Sequence, residues 1–421
     1  MVYVISKTGT PLMPCQNVVA RLLLKDGMAK CIRRTPFTIK LLNDTTKYTQ
    51  PLTHGVDTGS DTIGSAVSDE NGNIVYRAEV KVRNDIPEKM TQRANYRRNR
   101  RNRKTRYREA RWRHRGNSIK TDRFSPTMTS KIDSHLKEIR FVGSILPIAK
   151  LILETGTFDP HALKNPEVLD NKWLYQKGIN YGYANTKAYV LHRDGHICQY
   201  CANRSKDRQL EVHHILYRSE QGSDEAENLI TLCKTCHVRV HSHLIEIRGG
   251  KRKGNLSHAT QMNSIRIQLL KRLDCEETYG YITKEHRQLY GLEKTHSNDA
   301  AVIASQGKAV TFKTDEILLK KCIPDGDYQQ TKGNRSEQRI PTGKIQGIRK
   351  NDKVFYKGSE YFIKGRMTTG YAILMDIDGR KVDLKPIPKF TKMTRMNART
   401  SWMVAAIHHT ACRSGCLLAA K

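Results

Sequence analysis

The sequence predicts a multidomain α/β protein in which an RNase H-like core is split and a small zinc-holding module is inserted into it. Three observations predict this. An aspartate, Asp57, closes a strand-like segment that leads into a hairpin meander. An arginine-rich segment without Pro or Gly follows, from Arg93 to Arg115. Two Cys-x-x-Cys pairs, Cys198/Cys201 and Cys233/Cys236, then bracket a His-His pair.

The composition names the class of partner. The chain has 421 residues with 74 Lys+Arg against 41 Asp+Glu, a formal charge of +33. Such a charge attracts polyanions and releases their counterions, so a nucleic-acid partner is expected. The length allows two to four domains with ample core. No apolar run is long enough to span a membrane, and Met1-Val-Tyr-Val opens no signal-peptide pattern, so a soluble, cytoplasmic protein is expected. Ten cysteines do not form a disulfide framework: four sit in the knuckles, Cys15, Cys31, Cys275 and Cys322 are scattered, and Cys412/Cys416 are unassigned thiols.

Thr53-His-Gly-Val-Asp57-Thr-Gly-Ser60 and Thr62–Val67 read as strand, turn and strand, and Ile74–Val80 continues as a third. Asn71-Gly72 between the last two signals a type I′ hairpin. A carboxylate at the end of a first strand, followed by a meander, is how RNase H-like folds begin. They need further acids to hold two magnesium ions about 4 Å apart for in-line attack on phosphate. Glu154 closes the apolar segment Ala149–Glu154, and Asp299 sits at a helix start, His296–Ala304, facing inward. Taken singly, each acid reads as a cap or a solvated carboxylate. Their order selects them: a basic segment follows the first, and the zinc module lies between the second and third.

Pro87 suits a first helical turn and Gly116 a stop, which predicts an arginine helix between them. Its candidate nucleic-acid contacts are Arg93, Arg97, Arg98, Arg100, Arg101, Arg103, Arg106, Arg108, Arg111, Arg113 and Arg115. Guanidinium groups on every side rule out ordinary packing on a core, so phosphates must surround it, with Tyr96, Tyr107 and Trp112 available to stack. A disordered basic arm is the alternative, and it too binds nucleic acid.

Each Cys-x-x-Cys pair places two thiolates on one tight turn, and the two pairs complete a tetrahedral zinc site. His213-His214, Asn228 and His237 follow the order of an HNH nuclease site. Phosphodiester hydrolysis needs a base for water and a cation for the leaving oxygen. A neutral imidazole suits the first, so His214 is the expected base. His213 and His237 would face the other way and hold one divalent cation, and Asn228 would orient His214 or order the loop around it. The alternative is a structural zinc ribbon with incidental histidines. His192, His196, His241 and His243 read as surface or packing residues.

In the C-terminal third, Lys353–Tyr356, Glu360–Lys364, Tyr371–Met375 and Lys381–Leu384 read as short strands, with a turn at Asp378-Gly379, and predict a small β-barrel. A bare stabilising β-domain is the alternative. Gln329–Arg339 reads as a loop. Residues 401–421 match nothing.

With these motifs in order, the chain resembles the IscB family, transposon-encoded RNA-guided nucleases related to the CRISPR type II effectors. Pro11-Leu12-Met13-Pro14 resembles the signature of the family's PLMP domain; Asp57–Ser60, Leu153-Glu154 and His296–Ala300 resemble its three RuvC motifs; the arginine run resembles its bridge helix. Tyr183–Leu191 is similar to the entry of its HNH domain. The resemblance implies a PLMP domain (1–50), RuvC segments (51–86, 117–178 and 247–308), a bridge helix (87–116), a zinc-containing ββα-metal HNH domain (179–246) and a β-barrel-like C-terminal domain (309–421) touching the guide RNA and the target-adjacent motif.

It further implies that Asp57, Glu154 and Asp299 bind the two RuvC magnesium ions, that His296 activates water or positions the phosphate, and that His214 is the HNH base. The HNH site, with one magnesium, would cut the strand paired to the guide, and RuvC the displaced strand. Base pairing would select the target. The expected partners are a structured guide (omega) RNA and double-stranded DNA with a short flanking motif, in a monomeric ribonucleoprotein. A protein-only HNH endonuclease and a guide-binding protein that does not cut remain the alternatives.

Overall fold

In the computed structural model the chain begins with a small sheet of its own. Strand β1 (Tyr3–Ile5), helix α1 (Asn17–Lys25), β2 (Ala29–Arg34) and β3 (Phe37–Leu41) form it in the order β1-β3-β2. Val2, Val4, Leu12, Ala20, Ile39 and Leu41 close its core. The Pro-Leu-Met-Pro segment runs back along β1: Leu12 N donates to Val4 O at 2.9 Å, and the Leu12 side chain is buried. The structure describes residues 1–102, 124–220, 222–250, 256–324, 345–367 and 369–408.

The chain then builds β4 (Leu52–Asp57), β5 (Thr62–Ser68) and β6 (Asn73–Lys81), an antiparallel meander. Its second turn is not type I′, which needs positive φ at both central residues. Only Gly72 has one, at +81°. Asp69 instead shapes the turn, accepting from Asn71 N at 2.8 Å and Asn73 N at 2.9 Å, and the register shifts beside it. Helix α2 (Ile86–Asn102) has Pro87 in its first turn, as expected, and α3 (Pro126–Gly143) is capped by Ser125 with Pro126 in its first turn. The remainder of the predicted arginine helix, with its stop at Gly116, lies outside the described residues.

Strand β7 (Ile148–Glu154) returns parallel to β4. Beyond it the chain leaves the sheet to form a second compact unit, Thr157–Asn263, wider than the 179–246 module read from the sequence. This unit holds α4 (Pro160–Lys164), α5 (Thr186–Arg193), the hairpin β8 (Leu210–His214) with β9 (Leu229–Cys233), and α6 (Lys234–His241). Helix α7 (Leu256–Arg272) leads out of it.

The first unit resumes with β10 (Glu276–Thr278), α8 (Gly280–Leu289), α9 (His296–Ser305), β11 (Thr311–Phe312) and β12 (Glu316–Cys322). A five-stranded sheet follows: β13 (Lys353–Tyr356), β14 (Ser359–Arg366), β15 (Ala372–Met375), β16 (Lys381–Val382) and β17 (Thr394–Asn397), in the order β16-β15-β14-β13-β17. All of its pairs are antiparallel. Its two end strands do not pair among the described residues, so it is an open sheet where a barrel was expected. Asp378-Gly379 does turn between β15 and β16, with Gly379 at φ +86°.

Last comes β18 (Trp402–His408), in the segment that matched nothing. It pairs antiparallel with β12 and completes the large sheet β10-β7-β4-β5-β6-β12-β18, with β11 on β6. The large sheet therefore does not end at residue 308. Of its strands on either side of the five-stranded sheet, β12 is paired on both sides, and β18 escapes sequence reading because it is an edge strand added to a core already formed.

Two helices cover this sheet. From α3 and the residues after it, Val142, Ile145 and Leu146 pack with Leu52, Val67 and Tyr76. Helix α9 lies against β4 and β5, where side chains would hold it off. A Cβ on Gly55 would stand 2.4 Å from Ala304 N, and one on Gly64 1.9 Å from His296 O. These glycines let the helix, and the functional residues on its first turn, reach the sheet. Between α3 and the sheet, buried Lys320 donates to Glu138 Oε2 (2.7 Å), Glu138 Oε1 (2.9 Å) and the Tyr76 hydroxyl (2.7 Å). Among the described residues no helix is long and apolar enough to cross a membrane.

Candidate active sites

The first site stands at one edge of the large sheet's strand ends. The parallel register of β4 and β7 pairs Asp57 with Glu154, so both carboxylates emerge together. Thr295 caps α9 by accepting from Asn298 N at 3.1 Å, which starts the helix at His296. His296 and Asp299, one turn apart, then share a face. His296 Nδ1 lies 2.6 Å from Asp57 Oδ2. Asp299 Oδ1 meets Arg287 Nε of α8 at 2.7 Å, a charge contact rather than an aligned hydrogen bond. The structure thus brings Asp57, Glu154, His296 and Asp299 together.

Their charges are crowded. Burial, then the neighbouring Asp57, pushes the Glu154 carboxyl up to about 7. Burial also raises Asp57, against the His296 hydrogen bond, and raises Asp299, with Asp57 adding to it. His296 is raised by its hydrogen bond to Asp57. Glu154 Oε2 is buried without a hydrogen-bond partner. Carboxylates that oppose one another's ionisation, with an orphaned buried oxygen among them, fit the donor set of a hard divalent cation.

Two residues here had no sequence signal. Arg287 belongs to an ordinary helix until the fold sets it against Asp299. Glu79, in β6, accepts from Ser297 N at 3.2 Å and so steadies the first turn of α9.

The second site is in the other unit. Cys198, Cys201, Cys233 and Cys236 gather with all four sulfurs within 4.8 Å of one another. Zinc–sulfur bonds of about 2.3 Å would separate sulfurs by about 3.8 Å in a tetrahedron. Cys201 and Cys233 Sγ stand at 3.8 Å. The cluster fits zinc, and the four thiols are free. Ser205, hydrogen-bonded to Cys201, leads the effects that hold that thiol down at about 6, which favours the ligating thiolate.

Along β8 successive side chains alternate, so His213 and His214 face opposite ways as expected. His213 meets His237 and His241 in a three-imidazole cluster within 4.8 Å. This corrects the reading of His241 as a surface or packing residue: it lies one turn beyond His237 on α6, the i, i+4 spacing that aims both rings at one point. Burial, then the charges of His237, His241 and His214, lowers His213 to about 4, so its ring is neutral at pH 7, the form that can ligate a cation. Glu211 Oε2 takes His237 Nδ1 at 2.5 Å and fixes that ring.

On the opposite face, His214 Nε2 lies 2.9 Å from Asp224 Oδ1, which Arg218 also binds at 2.6 Å. Asn228 is fully buried and does the second of its two expected tasks. It accepts from Leu216 N (3.1 Å) and donates to Leu216 O (3.0 Å) and Ser223 O (2.8 Å), ordering the loop between β8 and β9. Asp224, two residues beyond Gly222 in that loop, is the group that touches His214. Of the arginine run, Arg93, Arg97 and Arg98 are exposed on α2 and Arg100 and Arg101 lie on its last turn. Arg103, Arg106, Arg108, Arg111, Arg113 and Arg115 lie outside the described residues.

With both geometries in view, comparison with known proteins adds two domains. Residues 2–178 match the RRXRR protein family and residues 198–243 the HNH endonuclease family. The chain carries an RRXRR domain and an HNH endonuclease domain. The chain is also 33% identical over 61 residues to the type IV methyl-directed restriction enzyme EcoKMcrA of Escherichia coli strain K12. That stretch is 13% of this chain and 22% of the restriction enzyme, so less than a quarter of that relative's length is spanned. Among solved structures, Streptococcus thermophilus Cas9 in complex with the GGAA PAM matches over 50% of this chain and 30% of its own, at 15% identity and a TM-score of 0.33. Its complex with the AGGA PAM matches over 51% and 31%, at 14% identity and the same TM-score.

Proposed function

We propose that the chain is an RNA-guided DNA endonuclease that makes a double-strand break. One observation carries the reading: two separate hydrolytic sites are built in one strongly basic chain, each with its own cation donors. The acid site is the RuvC site of the family resembled and cuts the displaced strand. The histidine site cuts the strand paired to the guide. Asp57, Glu154 and Asp299 would hold two magnesium ions, and His213, His237 and His241 one, which would supply the positive charge that phosphodiester cleavage needs. Zinc at the four cysteines holds the HNH module together.

The protein's own groups do the remaining work. A His214 ring that donates from Nε2 to Asp224 accepts at Nδ1, so it takes a proton from the attacking water there. Asp224, anchored by Arg218, then stabilises the protonated ring. Asn228 holds the loop that carries Asp224. At the other site, His296 is kept on Asp57 and positions water or the phosphate, while Arg287 balances Asp299. The exposed arginines of α2 take phosphates of a structured guide RNA, and base pairing selects the DNA.

The test is to express the chain with its flanking DNA, sequence the co-purified RNA, and assay that complex on strand-labelled targets with randomised flanks. Guide-dependent double-strand cutting is expected. His214→Ala should leave only the displaced strand cut, and Asp57→Ala only the guide-paired strand. Cutting that ignores the guide would point to a protein-only HNH endonuclease. A specific RNA with binding but no cutting would point to a targeting protein.

A further inference from the structure

A cavity of about 530 Å³ opens in the first unit between β2, α3, the five-stranded sheet and β18, and none of the carboxylates of that unit's candidate active site lines it. Its charge is one-sided. Arg33, Arg34, Lys137 and Lys353 line it, and no carboxylate does among the described residues. Lys353 pairs with Glu360 outside the lining, at 2.6 Å. The Arg33 guanidinium instead lies over the Phe141 ring at 4.7 Å, with its Nη1 buried and without a hydrogen-bond partner. Arg34 Nη1 reaches only a thioether, Met396 Sδ, at 3.5 Å. An orphaned guanidinium nitrogen in a carboxylate-free wall calls for an anionic acceptor.

The other walls say which anion. Phe141 and Trp402 meet edge to face at 5.5 Å, and Asn397 and Ser401 add amide and hydroxyl groups. Cations lie over both rings, Arg33 and Lys320 over Phe141 and Lys137 and Lys320 over Trp402, so an unstacked nucleotide would set its phosphate on the arginines and its base against ring edges and amides. The volume falls in the small-ligand range of about 300–1,000 Å³, too small for a duplex. We infer that this cavity between β2, α3 and β18 receives one extruded nucleotide of a bound RNA strand, with Arg33 and Arg34 on its phosphate. The inference rests on the proposed RNA partner and assigns it a place. It also gives a use to β18, the strand whose sequence matched nothing.

The experiment photo-crosslinks the full chain to oligouridylate carrying 5-iodouridine and maps the peptides, with uridine monophosphate and inorganic phosphate as separate competitors. A crosslink at Phe141 or Trp402 is expected. Arg33→Met keeps the packing on Phe141 and should lower its yield about tenfold, the worth of one charge-assisted contact. Asn397→Asp puts a carboxylate into the same cavity, where it repels an anionic ligand, and should act in the same direction if Arg33→Met fails to fold. Unchanged yields in both folded variants, or crosslinks only elsewhere, would overturn the pocket. Binding of uridine monophosphate at Arg33 without any RNA crosslink would overturn the RNA assignment in favour of a free nucleotide. Guide-dependent cutting by the unmodified chain is scored alongside. If it persists while the pocket fails, the pocket alone is lost; if it is absent while the crosslink behaves as expected, only the guided reading is lost.

Discussion

Asp57 and Glu154 lie directly opposite one another on adjacent parallel strands, 97 positions apart in sequence and one strand spacing apart in space. Burial first, and then the neighbouring Asp57 carboxylate, holds the Glu154 proton up to about 7. A carboxyl whose folded pKa is raised contributes stability below its unfolded value, and that contribution is lost as pH rises through the folded one.

Glu154→Gln should therefore stabilise metal-free protein at pH 7.5, by up to about 3 kcal/mol from the size of the shift. It should also abolish cutting of one strand. Melting in EDTA and then with added magnesium checks both halves: magnesium should raise the melting temperature of the unmodified chain more than that of the variant. A variant that melts lower in EDTA would show that Glu154 is not crowded.

At the histidine site, His241 is the candidate ligand the sequence did not single out. His241→Ala should weaken divalent binding about tenfold or more while leaving the module folded, since its ring sits at the exposed end of α6. Calorimetric titration with manganese reads this. Affinity equal to that of the unmodified chain would return His241 to the surface.

The four-cysteine cluster should carry one zinc per chain, and Cys198→Ser should lose it. Cys198 is fully buried among Leu232, Val240 and Ile245, so zinc loss should loosen that small core as well. Metal analysis with proteolysis across residues 157–263 checks it; full zinc occupancy in the variant would remove Cys198 from the ligand set.

What the sequence made legible was whatever repeats a local rule. The knuckles, the strand ending in Asp57, the capped start of α9 and the turn at Gly379 each follow from spacing over a few residues. What it hid depends on register and on distant approach. Asp224 reaches His214 only because Asn228 folds the intervening loop. Arg287 reaches Asp299 only because α8 packs beside α9. β18 joins the large sheet 80 residues after β12, and no local pattern announces that an edge strand will be collected so late.

Two buried histidines should give the first unit an acid limit. His54 Nε2 shares a hydrogen bond with Ser65 Oγ at 2.9 Å, and burial holds its pKa down at about 3. His135 is held at about 4, with Nε2 buried and unpartnered, so a proton there would have no acceptor. Both rings fold neutral, and the unfolded chain binds protons from about pH 6.5 downward. Stability from them is complete above 6.5 and falls toward pH 4, approaching about 2.7 kcal/mol per pH unit once both unfolded rings are charged. Glu154 works in the opposite direction over part of this range, so the urea titration belongs in the Glu154→Gln background. A flat profile between pH 6.5 and 4.5 there would contradict the buried neutral rings.

Lys320 supplies the sharpest test of the packing between α3 and the sheet. Its side chain and that of Glu138 are wholly buried, and burial lowers the ammonium to about 8 against the pull of Glu138. The Phe141 ring lies 3.8 Å from Nζ and completes the enclosure. Removing one charge of such a pair strands the other, which costs more than the pair contributed. Lys320→Met should destabilise the chain by about 3–5 kcal/mol. Adding Glu138→Gln should recover a large part of it, because the stranded carboxylate is then gone and the Tyr76 hydroxyl keeps an acceptor. Chemical denaturation of the two single variants and the double closes the cycle. Additive losses would mean that Lys320 and Glu138 act on stability independently, against the contact that joins them.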